Sequence, residues 1–282
     1  MLGTVFSVAC QSAPPPPLSE ESRRALAGGE TKWITANGLR IKTKVYKSGL
    51  LDDPVTLVVA LHGDAPNGPP SIHDVFAQSV AEQVDSTVAV GVLRPGYFDG
   101  AGDQSEGERG RATGDNYTAV VVDAIVQLVG ELKQMYTPTR VVFVGHSGGA
   151  AIIGNILGRW PSAADAALLV ACPCNVPVWR RHMMKSYLWP YGPLALIFSL
   201  PTDSLSPLDL AGRVSTDVSV RMLVGDQDTV APVRFSEEYA EAIRRRGANV
   251  QLRVVPGLEH DMFLEPVVLA ELSRLVRESV AR

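Results

Sequence analysis

The sequence predicts an α/β protein in which helices cover both faces of a mostly parallel sheet. Largely apolar runs, expected of strands buried on both faces, alternate with helical patterns whose apolar residues recur three and four positions apart. This alternation is typical of a parallel sheet with crossover helices. The apolar runs are residues 55–61, 87–93, 140–144, 166–171, 218–224 and 250–255, and the helical patterns are residues 72–84, 116–135, 149–159, 234–246 and 266–280.

Two shorter strands are predicted before this alternation begins. Residues 32–35 and 40–47 have strand patterns, and Asn37 and Gly38 between them predict a hairpin turn. Two stretches interrupt the alternation. Residues 95–115 are polar and glycine-rich and predict a functional loop, whereas residues 175–209 are rich in Pro, Trp, Tyr and Leu and predict a short cap insertion over one edge of the sheet.

Length and composition fit one globular domain. The chain has 282 residues, of which 46% are apolar and 20% charged. We expect residues 31–282 to form the domain and residues 1–30 a disordered, proline-rich tail. The formal charge is −4 and no stripe of Lys or Arg occurs, so nucleic acid is not an expected partner. No stretch is long enough to span a bilayer.

The amino-terminal residues suggest export. Ser7-Val8-Ala9-Cys10, followed by Gln-Ser-Ala and four prolines, resembles the end of a bacterial lipoprotein signal, although Ser7 stands where such signals usually carry Leu. We therefore favour an exported or periplasmic protein with a lipid anchor at Cys10. The alternative is an ordinary tail on a cytosolic protein.

The cysteines predict neither a disulfide framework nor a metal site. Three cysteines are too few for such a framework, and no histidine lies near Cys172 and Cys174 at zinc-like spacing. Two cysteines separated only by Pro173 are poorly placed to bridge each other. We interpret both as small apolar residues at the end of a strand.

One pentapeptide carries the clearest chemical signal. Gly145-His146-Ser147-Gly148-Gly149 directly follows the apolar run 140–144 and directly precedes a helical pattern. A tight strand-to-helix turn lifts the serine hydroxyl above the sheet, places the serine in a strained conformation and leaves no space for side chains two positions to either side. The same turn points the N–H of Gly148, at the start of a helix, towards a developing oxyanion.

With this motif the chain resembles the α/β-hydrolases across about residues 32–282. In that family the nucleophile, the acid and the histidine follow in this order along the chain. The resemblance implies that Ser147 is the nucleophile, that Asp228 in the loop Gly-Asp-Gln-Asp-Thr-Val-Ala-Pro is the acid, and that His260, after the last strand, is the general base. Asp226 is the competing acid, but the residue beside the strand-end glycine is usually turned into the loop.

The same resemblance implies a second oxyanion donor. His62-Gly63-Asp64 follows the apolar run 55–61 and is similar to the family's His-Gly motif, so the backbone N–H of Asp64 is the candidate. Its carboxylate would be unfavourable beside a developing negative charge and must therefore point away or be paired. Arg94, after the run 87–93, is expected to pair a carboxylate beneath the loops.

The candidate substrate pocket is less clearly marked. Tyr97 is expected to lie at its edge. Trp179 and Trp189 belong to a cluster of aromatic residues within the insertion. They either line an acyl or aryl pocket or form the insertion's own small core, and the sequence leaves both interpretations open.

These residues predict a serine hydrolase that forms an acyl-enzyme intermediate, because a serine hydroxyl needs a base to take its proton and a carboxylate to orient that base. The short insertion favours carboxylic esters with short or medium acyl groups or aryl groups. A peptidase or amidase is the alternative, although exopeptidases of this fold usually carry a propeller or larger cap, for which the residues before Thr31 leave no room. Acyl transfer, or a binding module without chemistry, also remains open. We expect no cofactor and no metal, and a small-molecule ester as partner.

Overall fold

The computed structural model describes residues 28–49, 55–66 and 68–278, together with Glu20, Arg24 and Leu51. For residues 189–191 and for Leu194 it describes the backbone alone. Cys10, the predicted anchor, and most of the predicted tail therefore lie outside the described residues.

An eight-stranded sheet forms the centre of the domain, in the order β1-β2-β4-β3-β5-β6-β7-β8. β1 and β2 pair antiparallel, as do β2 and β4, and every other pair is parallel. This confirms the predicted mostly parallel sheet. The strands are β1 (Glu30–Ala36), β2 (Leu39–Lys47), β3 (Thr56–Leu61), β4 (Thr87–Val92), β5 (Arg140–His146), β6 (Ala166–Val170), β7 (Ser219–Gly225) and β8 (Asn249–Val255).

Helices follow the parallel strands, as the alternating pattern predicts. They are α1 (Ile72–Gln83), α2 (Ala119–Tyr136), α3 (Gly148–Arg159), α4 (Val176–Tyr191), α5 (Pro207–Leu210), α6 (Val233–Arg244) and α7 (Pro266–Glu278). The predicted start of α2 is three residues early. The helix begins after Thr118, whose side chain caps it by accepting a hydrogen bond from the N–H of Val121.

Two apolar clusters lie on the opposite faces of the sheet. Alternate residues of β3 divide between them: Leu57 and Val59 pack with α2, α3 and α6, whereas Val58 and Ala60 pack with α1 and α7. All four are fully buried. Because successive side chains of a strand point to opposite faces, a strand covered on both sides reads as an apolar run.

For β8 the prediction of burial on both faces was wrong: β8 is an edge strand, and its residues Gln251, Arg253 and Val254 are exposed.

The first hairpin also agrees with its prediction. Ala36 pairs with Leu39, which leaves Asn37 and Gly38 as a two-residue turn with φ angles of 50° and 75°. Positive φ at both positions is the conformation that favours Asn-Gly in tight hairpins.

Between β6 and β7 the chain forms an insertion that contains α4, a 3₁₀ helix (Gly192–Ser199) and the short α5. The insertion begins where Cys172 and Cys174 stand, and here the prediction was wrong. The two cysteines form a disulfide, with their Cα atoms 5.1 Å apart, a separation within the usual range. A separation of 5.1 Å is shorter than two extended residues would span, so the backbone at Pro173 is not extended and the cysteines can meet across it. Both are fully buried, as expected of apolar residues.

Among the residues that the structure describes, no helix combines the length and the apolar character needed to cross a membrane.

Candidate active site

A tight turn after β5 positions Ser147. Its φ and ψ of 50° and −116° lie in a region that side-chain-bearing residues rarely adopt. A Cβ on Gly145 would lie 2.7 Å from the backbone carbon of Gly149, and a Cβ on Gly149 would lie 2.4 Å from the carbonyl oxygen of Leu61 on β3. Both predictions for this turn, a strained serine and glycines required by close packing, are confirmed.

Three predicted residues from separate loops meet at the carboxyl end of the sheet. The Nε2 atom of His260, in the loop after β8, lies 3.0 Å from Ser147 Oγ. Its Nδ1 atom lies 2.9 Å from Asp228 Oδ2, in the loop after β7. The other oxygen of Asp228 accepts hydrogen bonds from the N–H groups of Val230 and Ala231, at 2.9 and 2.7 Å.

The competing acid, Asp226, is held elsewhere. Its Oδ1 accepts a hydrogen bond of 2.7 Å from the N–H of Gly257, and the residue is exposed. Asp228 by contrast has a side chain with no solvent exposure. A buried carboxylate that accepts two backbone hydrogen bonds and faces an imidazole is well suited to orient that ring.

The two predicted oxyanion donors border the nucleophile. Gly148 is the first residue of α3, and a Cβ on Gly63, the residue before Asp64, would lie 3.0 Å from Ser147 Cβ. Within the described part of the chain, the N–H groups of Gly148 and Asp64 donate to no protein acceptor. Free N–H groups at this position are suited to bind a negative oxygen.

The carboxylate of Asp64 is fully engaged. Its Oδ1 accepts hydrogen bonds from Arg94 at 2.9 Å and from the Tyr97 hydroxyl at 3.1 Å. Its Oδ2 accepts from the Tyr117 hydroxyl and from the N–H of Gly114, both at 2.8 Å. Of the two expectations for this carboxylate, that it points away or that it is paired, the structure shows the second, and its partner is Arg94, which was expected to pair a carboxylate.

Charge balance explains how Arg94 is accommodated. It has no solvent exposure. Burial alone would lower the pKa of Arg94, but Tyr97 and Asp64 outweigh that effect and raise it, so the guanidinium stays charged. Burial, together with Asp64, raises the pKa of Tyr117 and keeps its hydroxyl protonated as a donor.

Two histidines of the motifs support the site. The Nε2–H of His146 donates to the carbonyl oxygen of His260 at 2.9 Å, and the two rings lie 4.9 Å apart. Burial, with His260 nearby, lowers the pKa of His146 to about 4. His62 accepts a hydrogen bond from the N–H of Arg94 and bonds through Nδ1 to its neighbouring carbonyl, while burial holds its pKa well below the usual value.

The predicted pocket residues separate into different environments. Tyr97 lines a cavity of about 270 Å³ beside Asp64, and only 3% of its surface is exposed. Trp179 is fully buried, packs with Met183 and Phe235, and donates its indole N–H to a carbonyl oxygen. This placement favours the insertion's own core over the pocket for Trp179. The side chain of Trp189 lies outside the described residues.

Sequence reasoning missed the partners of Asp64 other than Arg94. Gly114 and Tyr117 stand fifty or more positions along the chain, in the irregular loop and just before α2. Their residue types carry no motif, and glycine is needed at Gly114 for a φ of 83° and because a Cβ there would lie 2.3 Å from the ring of Trp179. Arg109 and Arg111, which line the same cavity, were also missed.

Comparison with solved structures shows the same fold. An esterase from Pyrococcus furiosus superposes with a TM-score of 0.65 at 17% identity, over 94% of this chain and 99% of that one. Proline iminopeptidase from Mycobacterium smegmatis gives 0.64 at 14%, over 88% and 98%. An esterase from Butyrivibrio proteoclasticus, solved with ferulic acid bound, gives 0.64 at 15%, over 89% and 100%. No curated protein matches the chain.

The fold and site define the class: the protein is a serine hydrolase of the α/β-hydrolase fold. Residues 98–274, more than half of the chain, match the model of the prolyl oligopeptidase family. The chain belongs to that family.

Proposed function

We propose that the protein hydrolyses carboxylic esters with short or medium acyl groups or aryl groups, through an acyl-enzyme on Ser147. The observation that carries this proposal is the continuous hydrogen-bond chain from Ser147 Oγ through His260 to Asp228, with links of 3.0 and 2.9 Å. These are contact distances at which a proton can be transferred as the hydroxyl attacks.

Each of the three side chains has a distinct task in the proposed reaction. His260 takes the proton of Ser147 as the oxygen attacks the ester carbonyl, and returns it to the leaving alcohol. Asp228 fixes the tautomer of His260 and stabilises the imidazolium that forms. A water molecule activated by the same histidine then hydrolyses the acyl-enzyme.

The backbone N–H groups of Gly148 and Asp64 stabilise the oxyanion of both tetrahedral intermediates. Their lack of protein acceptors among the described residues and their position beside Ser147 support this role. The loss of one such donor typically costs about 10² to 10³ in kcat. The pairing of the Asp64 carboxylate matters for this step, because it removes a negative charge that would otherwise oppose the oxyanion.

Support for an ester over a peptide comes from two directions. The chain shares its fold with esterases from Pyrococcus furiosus and Butyrivibrio proteoclasticus, which it covers over 99% and 100% of their lengths. A cavity of about 270 Å³ beside Asp64 suits a small acyl or aryl group. Peptide or amide hydrolysis is the second candidate, favoured by the match to the prolyl oligopeptidase family and by the likeness to proline iminopeptidase.

A fluorophosphonate probe and two substrate panels test the proposal. The probe should label wild type and fail to label Ser147→Ala, while Ser199→Ala, which removes an exposed hydroxyl from the insertion, should label normally. A series of p-nitrophenyl esters is then compared with aminoacyl p-nitroanilides. Higher kcat/KM on the anilides would transfer the assignment to a peptidase, and absence of labelling with no turnover on either panel would refute the enzymatic proposal.

A further inference from the structure

The cavity beside Asp64 has an unusual lining. It is lined by Asp64 and its two following residues, by Tyr97, and by residues 109–113 of the glycine-rich loop, including Arg109 and Arg111. Asp64 connects this cavity with the surroundings of Ser147: its neighbour Gly63 abuts Ser147, and its own Oδ1 atom lies 2.7 Å from the position of a Cβ on Gly148.

Arg109 is held in place but keeps most of its hydrogen-bonding capacity. It donates from Nη2 to the carbonyl oxygen of Ala65, and its guanidinium stacks against the rings of Tyr97 and Phe98, at 5.1 and 5.9 Å. Among the described residues no carboxylate lies within salt-bridge distance of Arg109 or Arg111. A guanidinium fixed by stacking and by one bond has further N–H groups in a planar fork, which suits bidentate binding of a carboxylate.

The two carboxylates near this cavity do not neutralise these arginines. Asp64 is paired with the buried Arg94 and accepts three further hydrogen bonds. Asp115 accepts hydrogen bonds from the N–H groups of Arg111 and Ala112 and so holds the loop from behind.

A further cation lies behind the cavity. Arg180, from α4, donates to the carbonyl oxygen of Thr113 at 3.3 Å and is 4% exposed. Burial lowers the pKa of Arg180, and the charge of Asp115 partly opposes that effect. The charged residues that line the cavity itself are Arg109, Arg111 and Asp64, and Asp64 is paired with Arg94, so the two arginines leave the lining positively charged.

We propose that this cavity binds a carboxylate carried by the substrate, so that the preferred substrates are esters with an anionic group on the acyl or the alcohol side. This inference rests on the proposed function and narrows its substrate class. Arg109 provides the fixed, bidentate contact. Arg111, which is exposed, adds an electrostatic attraction for the substrate carboxylate, and added salt weakens this attraction.

Matched pairs of substrates test the inference. On the acyl side, the mono-p-nitrophenyl ester of glutaric acid is compared with p-nitrophenyl valerate, which has the same chain length without the charge. On the alcohol side, 4-acetoxybenzoate is compared with its methyl ester. In wild type we expect kcat/KM to be about tenfold or more higher for the anionic member of at least one pair, chiefly through KM, and to fall towards parity as salt is added.

Variants locate the effect. Arg109→Gln should lower kcat/KM for the preferred anionic substrate by about 10- to 100-fold. Arg111→Gln should lower it by about two- to tenfold, in keeping with its exposure. The neutral partner substrate should change little in either variant. Arg245→Gln, on the exposed end of α6, removes the same charge far from the cavity and should leave the preference intact.

The outcomes separate this inference from the proposed function. Hydrolysis of the neutral esters with no preference for either anionic partner would refute the inference and leave the esterase proposal standing. A preference that survives in both Arg109→Gln and Arg111→Gln would also refute it, because the anion would then be bound elsewhere. If Arg109→Gln unfolds, Arg109→Lys and Arg111→Gln still test the inference. Arg109→Lys should keep part of the preference for the anionic substrate and lose the part that comes from bidentate hydrogen bonding.

Discussion

Replacing Arg94 with methionine should destabilise the protein strongly, because it leaves a carboxylate beneath the oxyanion site without its cation. Arg94 has no solvent exposure, and its Nη1 lies 2.9 Å from Asp64 Oδ1 and 3.2 Å from the carbonyl oxygen of His62. Removing one partner of a buried pair costs about 3 to 5 kcal/mol. Since Tyr97, Tyr117 and Gly114 continue to donate to Asp64, we expect a value near the lower end, about 3 kcal/mol.

A surface pair provides the control. Arg159 donates to Asp123 at 2.7 Å, but their side chains are 38% and 21% exposed. Arg159→Met should therefore cost less than about 1 kcal/mol. The double variant Arg94→Met with Asp64→Asn, which removes the unpaired charge, should recover about 1 kcal/mol or more of the loss.

Equilibrium unfolding in urea, followed by tryptophan fluorescence, measures these changes. The slope of the free energy of unfolding against urea concentration should be the same in all variants, so that their unfolding midpoints can be compared. The reasoning is wrong if Arg94→Met unfolds within about 1 kcal/mol of wild type, or if Arg159→Met costs as much as Arg94→Met.

Three further predictions concern the site and its surroundings. Asp228→Asn should lower kcat by about 10⁴, since an amide orients His260 in the wrong tautomer, whereas Asp226→Asn should change it little; comparable losses on a p-nitrophenyl ester would contradict the assignment. Lowering the pH from 6.5 to 4 should reduce the free energy of unfolding by about 3 kcal/mol through His146. The pKa of His146 is about 4 in the folded protein, so the unfolded chain takes up the proton at a higher pH than the folded protein does. A His146→Gln variant with the same pH dependence would argue against this. Replacing Cys172 and Cys174 with alanine should cost about 1.5 kcal/mol, a small loss because the disulfide closes a very short loop, and alkylation without reductant should leave both thiols unmodified in wild type.

The sheet and the turn at Ser147 could be predicted because their causes are local. A strand buried on both faces must be apolar throughout, and a helix must bury one stripe, so each element carries its own pattern. The turn at Ser147 requires glycines at fixed offsets for steric reasons. Asp228 and His260 could be located because each follows a strand, and the carboxyl ends of parallel strands share one edge of the sheet.

The environment of Asp64 could be predicted only in outline. Its unfavourable charge beside an oxyanion required a partner, and Arg94 at the end of the neighbouring strand β4 was within reach. Tyr117 and Gly114 could not be foreseen, because their contacts depend on how the irregular loop folds back over β3. The disulfide was missed for a similar reason: it depends on the backbone at Pro173 being folded rather than extended, which the sequence does not reveal.

The residues that we propose for catalysis and those that we propose for substrate selection lie on different parts of the chain. Ser147, Asp228 and His260 lie in the segments that follow strands β5, β7 and β8, and the rigid sheet fixes the positions of these segments. Arg109 and Arg111 lie on a loop whose conformation depends on glycines and on the backbone contacts of Asp115. Changes in this loop can therefore alter which ester is bound without moving the atoms that react. If this loop selects substrates by their charge, related chains that share Ser147, Asp228 and His260 should differ in substrate preference according to the charge of the loop.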